Sequence, residues 1–293
     1  MDTIRELIKR GEEMLLERGV PNARRNVEWI LCDTLGCSML DLYTGSASAP
    51  TGALERYWDR IRRRAGREPL QHILGTTEFM SLPFRTTPGV FVPRPDTEVL
   101  VEAAERWLRG RGLDEPLRVL DLCCGSGVIG VSLASRIANV QVQAVDVSAD
   151  AVASTEHNAR LNGVEDRVRA WRADAAAFLD APPVAGRFTA ILCNPPYIES
   201  GAIASLPPEV RGHEPRAALD GGVDGLDAYR ALVERLPKRL ISGGVAMFEI
   251  GDAQGPAVSG MLAENGFEGV HTIQDFTGHD RVVAGVLSRK GDG

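Results

Sequence analysis

From Leu117 onward the chain repeats a pattern that few folds can absorb: short apolar runs of strand length, separated by stretches of helical length. LRVLDL (117–122), VQVQAVDV (140–147), FTAILC (188–193) and GGVAMFEI (243–250) read as buried-type strands, and residues 128–137, 149–161 and 226–240 read as helices between them. Strand, helix and strand in that order predict an α/β domain: a mostly parallel sheet with helices on both faces and ligands at the carboxyl ends of the strands. The run RVVAGVLS (281–288) follows closely on GVHTIQ (269–274), so an antiparallel edge pair is expected there, and residues 290–293 read as a frayed tail.

The preceding part has a different period. Ile4, Leu7, Ile8, Leu15 and Leu16 recur on one helical face, as do Val27, Ile30, Leu31 and Leu35, and then Leu54, Tyr57, Trp58 and Ile61. Gly19-Val20-Pro21, Gly36 and residues 45–52 punctuate them, which predicts a small helical bundle over residues 1–75. TTEFMSLPFRTTPGVFVP (76–93) predicts a β-hairpin linker over 76–95, with Asp96 or Thr97 capping a helix through Arg109 and the α/β domain filling 96–293.

Composition narrows the setting. With 44% hydrophobic and 25% charged residues the chain is of ordinary globular type, and no window approaches the ~18 uninterrupted apolar residues of a spanning helix, so a soluble, cytoplasmic protein without a membrane partner is expected. Residues 1–95 carry 14 Lys and Arg against 12 Asp and Glu, whereas residues 96–293 carry 19 against 28. The acidic balance of the larger part disfavours nucleic acid as the partner. Arg60, Arg62, Arg63, Arg64 and Arg67 form a local cluster that is either the solvated face of a helix or a docking surface. The five cysteines contain no C-x-x-C pair and the five histidines no H-x-x-x-H spacing, which supports neither a disulfide framework nor a metal.

Two motifs carry chemistry. The first strand runs into Asp121-Leu122-Cys123-Cys124-Gly125-Ser126-Gly127-Val128-Ile129-Gly130, and Asp146 closes the second strand 21 positions after Gly125. That is the layout of a nucleotide-binding βαβ unit, in which glycines admit the ligand to the backbone and the acid accepts from ribose hydroxyls. Asp121 would favour a cationic sulfonium over a pyrophosphate; alternatively it closes the loop by accepting from backbone amides. The second motif is Asn194-Pro195-Pro196-Tyr197, directly after the strand ending in Cys193. The Asn194 side-chain oxygen and the Pro195 carbonyl can each accept one proton of a planar NH2 group, while Tyr197 offers a flat face. The bland alternative is a rigid strand-end turn.

With these residues the chain resembles the peptide chain release factor glutamine methyltransferases, a family of S-adenosylmethionine-dependent amino methyltransferases. REPLQHILGTTEF (67–79), FVPRPDTE (91–98), VLDLCCGSGVIG (119–130), ILCNPPYI (191–198), HEPRAALDGGVDGLDAYR (213–230), FEIGDAQ (248–254) and DRVVAG (280–285) carry the resemblance. It implies a helical N-terminal domain that docks the release factor, ahead of a Rossmann-like class I methyltransferase domain with a seven-stranded, mostly parallel sheet and an antiparallel edge. The implied reaction moves a methyl group from S-adenosylmethionine to the side-chain amide nitrogen (N5) of the glutamine in the Gly-Gly-Gln motif of class 1 release factors, leaving S-adenosylhomocysteine. Carried onto this chain, the loop Cys123, Cys124, Gly125, Ser126 and Gly127 holds the methionine part and Asp146 the ribose, with Asp121 a further cofactor-binding candidate. Asp174 and Ala175 stand at the adenine. Asn194, Pro195, Pro196 and Tyr197 bind the glutamine amide, with Asn194 also against the cofactor, and Asn194, Pro195 and Tyr197 are the catalytic group. The chain departs from the family at Cys123-Cys124, where a Gly-Thr type pair is usual, and at Ala175, where an aromatic is common.

An amide nitrogen is a weak nucleophile because its lone pair is delocalised. Two acceptors on its protons favour localisation of that pair, and alignment with the methyl group supplies the entropic part. No separate base is evident, and Glu249 is either an electrostatic aid or a structural strand-end carboxylate. The alternatives are an adenine N6-methyltransferase acting on DNA or RNA, a nicotinamide-dependent oxidoreductase that leaves Asn194 to Tyr197 unexplained, and a binding module without catalysis.

Overall fold

The computed structural model describes residues 3–44, 52–111, 115–181 and 186–289; the expectations for residues 45–51 and for the tail 290–293 lie outside them. Two compact units are present, Met1–Thr76 with Pro207–His213, and Thr77–Leu206 with Glu214–Gly293. In the first, Thr3 and Glu6 form a capping box at the start of α1 (Ile4–Glu17). There follow α2 (Ala23–Leu35), α3 (Met39–Thr44), α4 (Ala53–Ala65) and α5 (Leu70–Leu74). Leu7, Leu15, Val27, Ile30, Tyr57 and Ile61 are buried among them. A Cβ on Gly11 would stand 2.3 Å from the Tyr57 hydroxyl, so only glycine admits that ring, whose hydroxyl donates to the Leu7 carbonyl at 2.7 Å. Leu16 departs from its expected face: a 100° step beyond Leu15 carries it off the seam, and it is 60% exposed.

Most of the arginine cluster is paired within the unit. Arg64 is buried and donates to Asn26 Oδ1 (2.7 Å) and Glu209 Oε1 (2.8 Å), while Arg67 donates to both Glu209 oxygens (2.8 and 2.7 Å). Arg63 forks onto Glu68 and Arg60 meets Asp33, so four of the five guanidinium groups are engaged within the unit; Arg62 is exposed.

In the second unit a hairpin joins β1 (Thr76–Phe79) to β2 (Leu82–Arg85) through Met80 and Ser81, both with positive φ, as a two-residue turn matching strand twist requires. Next come α6 (Thr97–Arg109), β3 (Leu117–Leu122), α7 (Val128–Arg136), β4 (Val140–Asp146), α8 (Ala149–Leu161), β5 (Val168–Arg172), α9 (Ala175–Asp180) and β6 (Phe188–Cys193). The chain then lends α10 (Pro208–His213) to the first unit and continues with α11 (Asp227–Val233), β7 (Leu240–Glu249), α12 (Gly255–Glu264), β8 (Phe267–Gln274) and β9 (Asp280–Leu287).

The sheet has seven strands in the order β5-β4-β3-β6-β7-β9-β8, parallel from β5 to β7, with β9 antiparallel to both β7 and β8. This is the class I methyltransferase arrangement. Sequence reading passed over β5, whose VRAWR alternates arginine with apolar residues because it is an edge strand with only Val168 buried. It also passed over α12 and ran the helix at 226–240 too far: α11 stops at Val233, a 3-10 turn holds Pro237, and β7 begins at Leu240. Asp96 has helical backbone angles and makes no side-chain cap; it lies 3.6 Å from Arg281 instead. Among the described residues no helix is long and apolar enough to cross a membrane.

Candidate functional site

The strand order reverses on either side of β3, and the carboxyl ends of β3, β4 and β6 open there into a cavity of about 350 Å³. Cys123, Cys124, Gly125, Ser126, Asp146, Asp174, Ala175, Asn194, Pro195, Pro196 and Tyr197 line it, so the structure gathers eleven of the thirteen expected residues. Asp146 and Asp174 are the charged groups in that lining, and no cationic side chain joins them.

The loop after β3 is held from α8. Thr155 donates to the Gly125 carbonyl (3.1 Å) and Asn158 to the Ser126 carbonyl (2.9 Å). A Cβ on Gly127 would lie 2.8 Å from Thr155, and one on Gly130 2.7 Å from Val142, so both glycines serve close packing of helix on loop and strand. Cys123 adopts φ +58, in the left-handed region where glycine is unstrained, which accounts for the family's usual glycine at this point. Asp146 accepts from the Gly125 amide through Oδ2 and from the Ser148 amide through Oδ1, both at 2.9 Å. Each oxygen keeps a lone pair for a further donor.

Two of the expected residues lie outside the lining. Gly127 is absent from the cavity lining. Asp121 is also absent from it and is fully buried, with Oδ2 accepting from the Gly130 amide at 2.9 Å, the bond its loop-closing reading calls for. Burial pushes its carboxyl up to about 7, against the lowering effect of that hydrogen bond. Asp174 caps α9 by accepting from the Ala177 amide (2.9 Å), and Ala175 beside it contributes no ring. Parallel pairing of Asp146 with Arg172 sets Val147, 60% exposed, beside the turn that follows β5. Val147 lines the cavity and was not among the residues that sequence reading named.

Asn194 leaves β6 with its Nδ2 donating to Thr97 Oγ1 at 3.2 Å, while its Oδ1 accepts from no described residue. Gln254 pins the turn by donating to the Tyr197 carbonyl (3.0 Å) and the Gly225 carbonyl (3.1 Å), and a Cβ on Gly225 would stand 2.3 Å from the Tyr197 oxygen. Burial raises the Tyr197 phenol, as does the nearby Glu249, so it stays a neutral ring in the wall. Phe91, Pro93, Thr97 and Pro215 complete that end. They lie in the FVPRPDTE and HEPRAAL segments, which sequence reading had quoted without assigning them a place. Acid without base, an open carboxylate for hydroxyl donors and a mostly apolar lining suit the cationic nucleoside S-adenosylmethionine.

Comparison with known proteins agrees. Residues 6–75 match the family described as PrmC N-terminal domain, and residues 81–206 match the methyltransferase small domain. The chain is 43% identical over 285 residues to the release factor glutamine methyltransferase of Geobacter sulfurreducens, covering 97% of this chain and 96% of that one. It is 38% identical to the protein of the same name from Moorella thermoacetica, covering 95% and 96%. Among solved structures, the 16S rRNA N2 G1207 methyltransferase of T. thermophilus, in complex with AdoMet and guanosine, superposes with a TM-score of 0.52 at 23% identity over 72% of this chain and 49% of that one. A methyltransferase from Pyrococcus furiosus gives 0.50 at 16% identity over 77% and 98%. Both bear on the fold alone.

Proposed function

Because the chain belongs to the release factor glutamine methyltransferases, we propose that Asn194 and the Pro195 carbonyl receive the two protons of the substrate amide while Tyr197 packs on its plane. The protein is an S-adenosylmethionine-dependent enzyme that methylates a release factor glutamine. The acceptor is read as the N5 nitrogen of the Gly-Gly-Gln motif in class 1 factors. The observation that carries this reading is the orientation of Asn194: its NH2 is spent on Thr97, leaving the oxygen for a donor from the cavity. Asp146 is read as the ribose acceptor, the loop 123–126 as the seat of the methionine part, and Val147 with Ala175 as the adenine cover.

When bound, S-adenosylmethionine supplies an electrophilic methyl group. Asn194 and Pro195 act on the nucleophile: two accepted hydrogen bonds favour the geometry in which the nitrogen lone pair leaves conjugation, and the proline-stiffened turn fixes it in line. The proton departs to water once the nitrogen is methylated, and no base is required of the turn.

We read residues 1–75 as the release-factor docking part, supported by the exposed Trp29, Leu40 and Tyr43 rather than by the arginine cluster. A cytoplasmic location follows from such a substrate. A protein partner rather than nucleic acid is supported by the acidic balance of residues 96–293. The test is incubation with labelled S-adenosylmethionine and purified release factor, then peptide mass mapping. A methyl group on the Gly-Gly-Gln glutamine is expected; label on adenine in a parallel nucleic-acid arm, and none on the factor, overturns the reading.

A further inference from the structure

Among the described residues the second unit leaves four large hydrophobic side chains exposed: Val147, Leu161, Val223 and Phe276. Leu161 ends α8, which runs from the carboxyl edge of the sheet back to the opposite edge before β5 begins. Val147 follows β4 and lines the cavity itself. Phe276 is 92% exposed in the turn between β8 and β9, and Val223 is 90% exposed in the loop ahead of α11. Scattered apolar residues are ordinary on a surface, whereas their gathering at one edge marks a place where another surface docks.

Cross-strand register places Phe276 and Val223. One row runs through Cys193, Phe248, Val283 and Thr272. Cys193 directly precedes Asn194, so Phe276, four residues past Thr272, projects from the sheet on the side of the Asn194 turn. Three strand spacings of ~4.8 Å separate β6 from β8, about 14 Å in all. The Val223 loop is tied to the same turn: the Gly222 carbonyl accepts from the Ser200 amide (2.8 Å), and the Gly225 carbonyl shares the Gln254 amide with the Tyr197 carbonyl. The hairpin tip is stiff. Asp275 accepts from the Thr277 amide (2.9 Å) and hydroxyl (2.6 Å), the His279 amide (3.1 Å) and Arg281 (3.1 Å), and its own amide donates to the His279 carbonyl (2.9 Å). Arg281 also donates to the Ile250 carbonyl at 3.4 Å, which ties the tip to the end of β7. A ring held out on such a tip is already ordered, so a partner that covers it gains the burial with little further ordering cost.

The substrate is a glutamine side chain on a folded protein, and bringing it to Asn194 sets the protein around that glutamine against this edge. A stable interface covers ~800 Å² on each partner, a disc of about 16 Å radius. Centred on the Asn194 turn, such a disc takes in Val223 and reaches Phe276. We propose that Phe276 and Val223 form a docking surface for the face of the release factor that bears the glutamine loop, with Phe276 as the anchor seated in an apolar pocket of that face. Asp96, Glu199 and Asp252 are exposed at the same edge, so the face that fits it carries basic residues beside the pocket. The inference rests on the reading of the Asn194 turn as the glutamine site and adds to it where the surrounding protein sits.

The test compares Phe276→Ser, Phe276→Leu, Val223→Ser, the Phe276→Ser/Val223→Ser pair and Leu161→Ser, by kinetics at saturating S-adenosylmethionine and by calorimetry of release-factor binding to enzyme loaded with S-adenosylhomocysteine. Side chains this exposed contribute little packing, so the variants should keep wild-type Tm and cofactor affinity. Phe276→Ser should raise KM and Kd for the release factor about tenfold or more, with kcat at saturating factor changed by less than about threefold. Phe276→Leu should recover most of that loss, the pair should bind more weakly than either single variant, and Leu161→Ser, the same chemistry at the opposite edge, should match wild type. Added salt should slow association of the wild-type enzyme. Wild-type KM and Kd in Phe276→Ser and in the pair overturn the inference, and so does an equal loss in Leu161→Ser. A pair that keeps release-factor affinity but changes the sedimentation of the enzyme alone also overturns it, by assigning the edge to a contact between copies. Asn194→Ala, run beside them, should lose transfer and keep release-factor affinity; near wild-type transfer there overturns the site reading, whereas the docking surface is judged by affinity.

Discussion

Asp146 is fixed by two backbone amides before any ligand arrives, so a hydroxyl donor entering the cavity would meet its carboxylate without reorganising it. Asp146→Ala removes charge-assisted bonds of roughly 1.5 to 3 kcal/mol, and S-adenosylmethionine affinity should fall about tenfold to a hundredfold by calorimetry. Unchanged affinity in a folded variant removes Asp146 from the site. Asn194 is expected to behave in the opposite way. Asn194→Ala takes away one substrate acceptor while Pro195 and Pro196 keep the turn, so cofactor binding persists and single-turnover transfer drops by about a hundredfold to a thousandfold. Asn194→Asp retains an acceptor but has no NH2 for Thr97; near wild-type transfer in both variants contradicts the role. These residues were legible in the sequence because their chemistry is local to one turn. Asp121 stayed open between its two candidate partners, a ligand and the Gly130 amide nine residues on, because they are separated only by which way the carboxylate points.

At the scale of elements, α10 stands out: six residues long and with none buried, it is anchored through Glu209 by Arg64 and Arg67. Burial alone would raise the Glu209 carboxyl, but hydrogen bonds from Arg67 and Arg64 draw it down to about 2 from an ordinary 4.5. A depressed folded pKa stabilises the structure above the unfolded value and ceases to do so as pH falls through the folded one. Amide protection in residues 207–213 should therefore decline between about pH 4.5 and 2 by hydrogen exchange, and Glu209→Gln should remove that dependence. Glu209→Ala leaves the buried Arg64 short of one charged partner, costing about 1.5 to 3 kcal/mol in thermal or denaturant unfolding. An acid limb unchanged in Glu209→Gln would assign it to other carboxylates. No sequence period marks α10, since a single turn and a half of helix held by ion pairs from residues about 140 positions away has no local signature.

For the whole molecule, a ligand seated across β3, β4 and β6 stabilises the native state by mass action. Saturation with S-adenosylmethionine at about a hundred times Kd should add about 2.7 kcal/mol and raise Tm by roughly 5 to 10 °C, whereas NADH should leave it unchanged. A shift with NADH and none with S-adenosylmethionine would restore the oxidoreductase reading. The sequence by itself determined the strands β3, β4, β6 and β7, the helical character of the first unit, the loop 123–127, the acid at 146 and the Asn-Pro-Pro-Tyr turn. Each of these depends on residues within a few positions of one another, where spacing and side-chain chemistry suffice. Only the tertiary structure decided that Asp121 accepts from the Gly130 amide, that Arg60, Arg63 and Arg64 of α4 are paired, that Val147 lines the cavity, and that Thr97 lies against Asn194. Thr97 is 97 residues from Asn194 in the chain and Glu249 is 52 from Tyr197, and their meeting depends on strand order and register. Hydrogen bonds act over about 3 Å, so which polar groups become partners is settled by the packing that brings distant segments together.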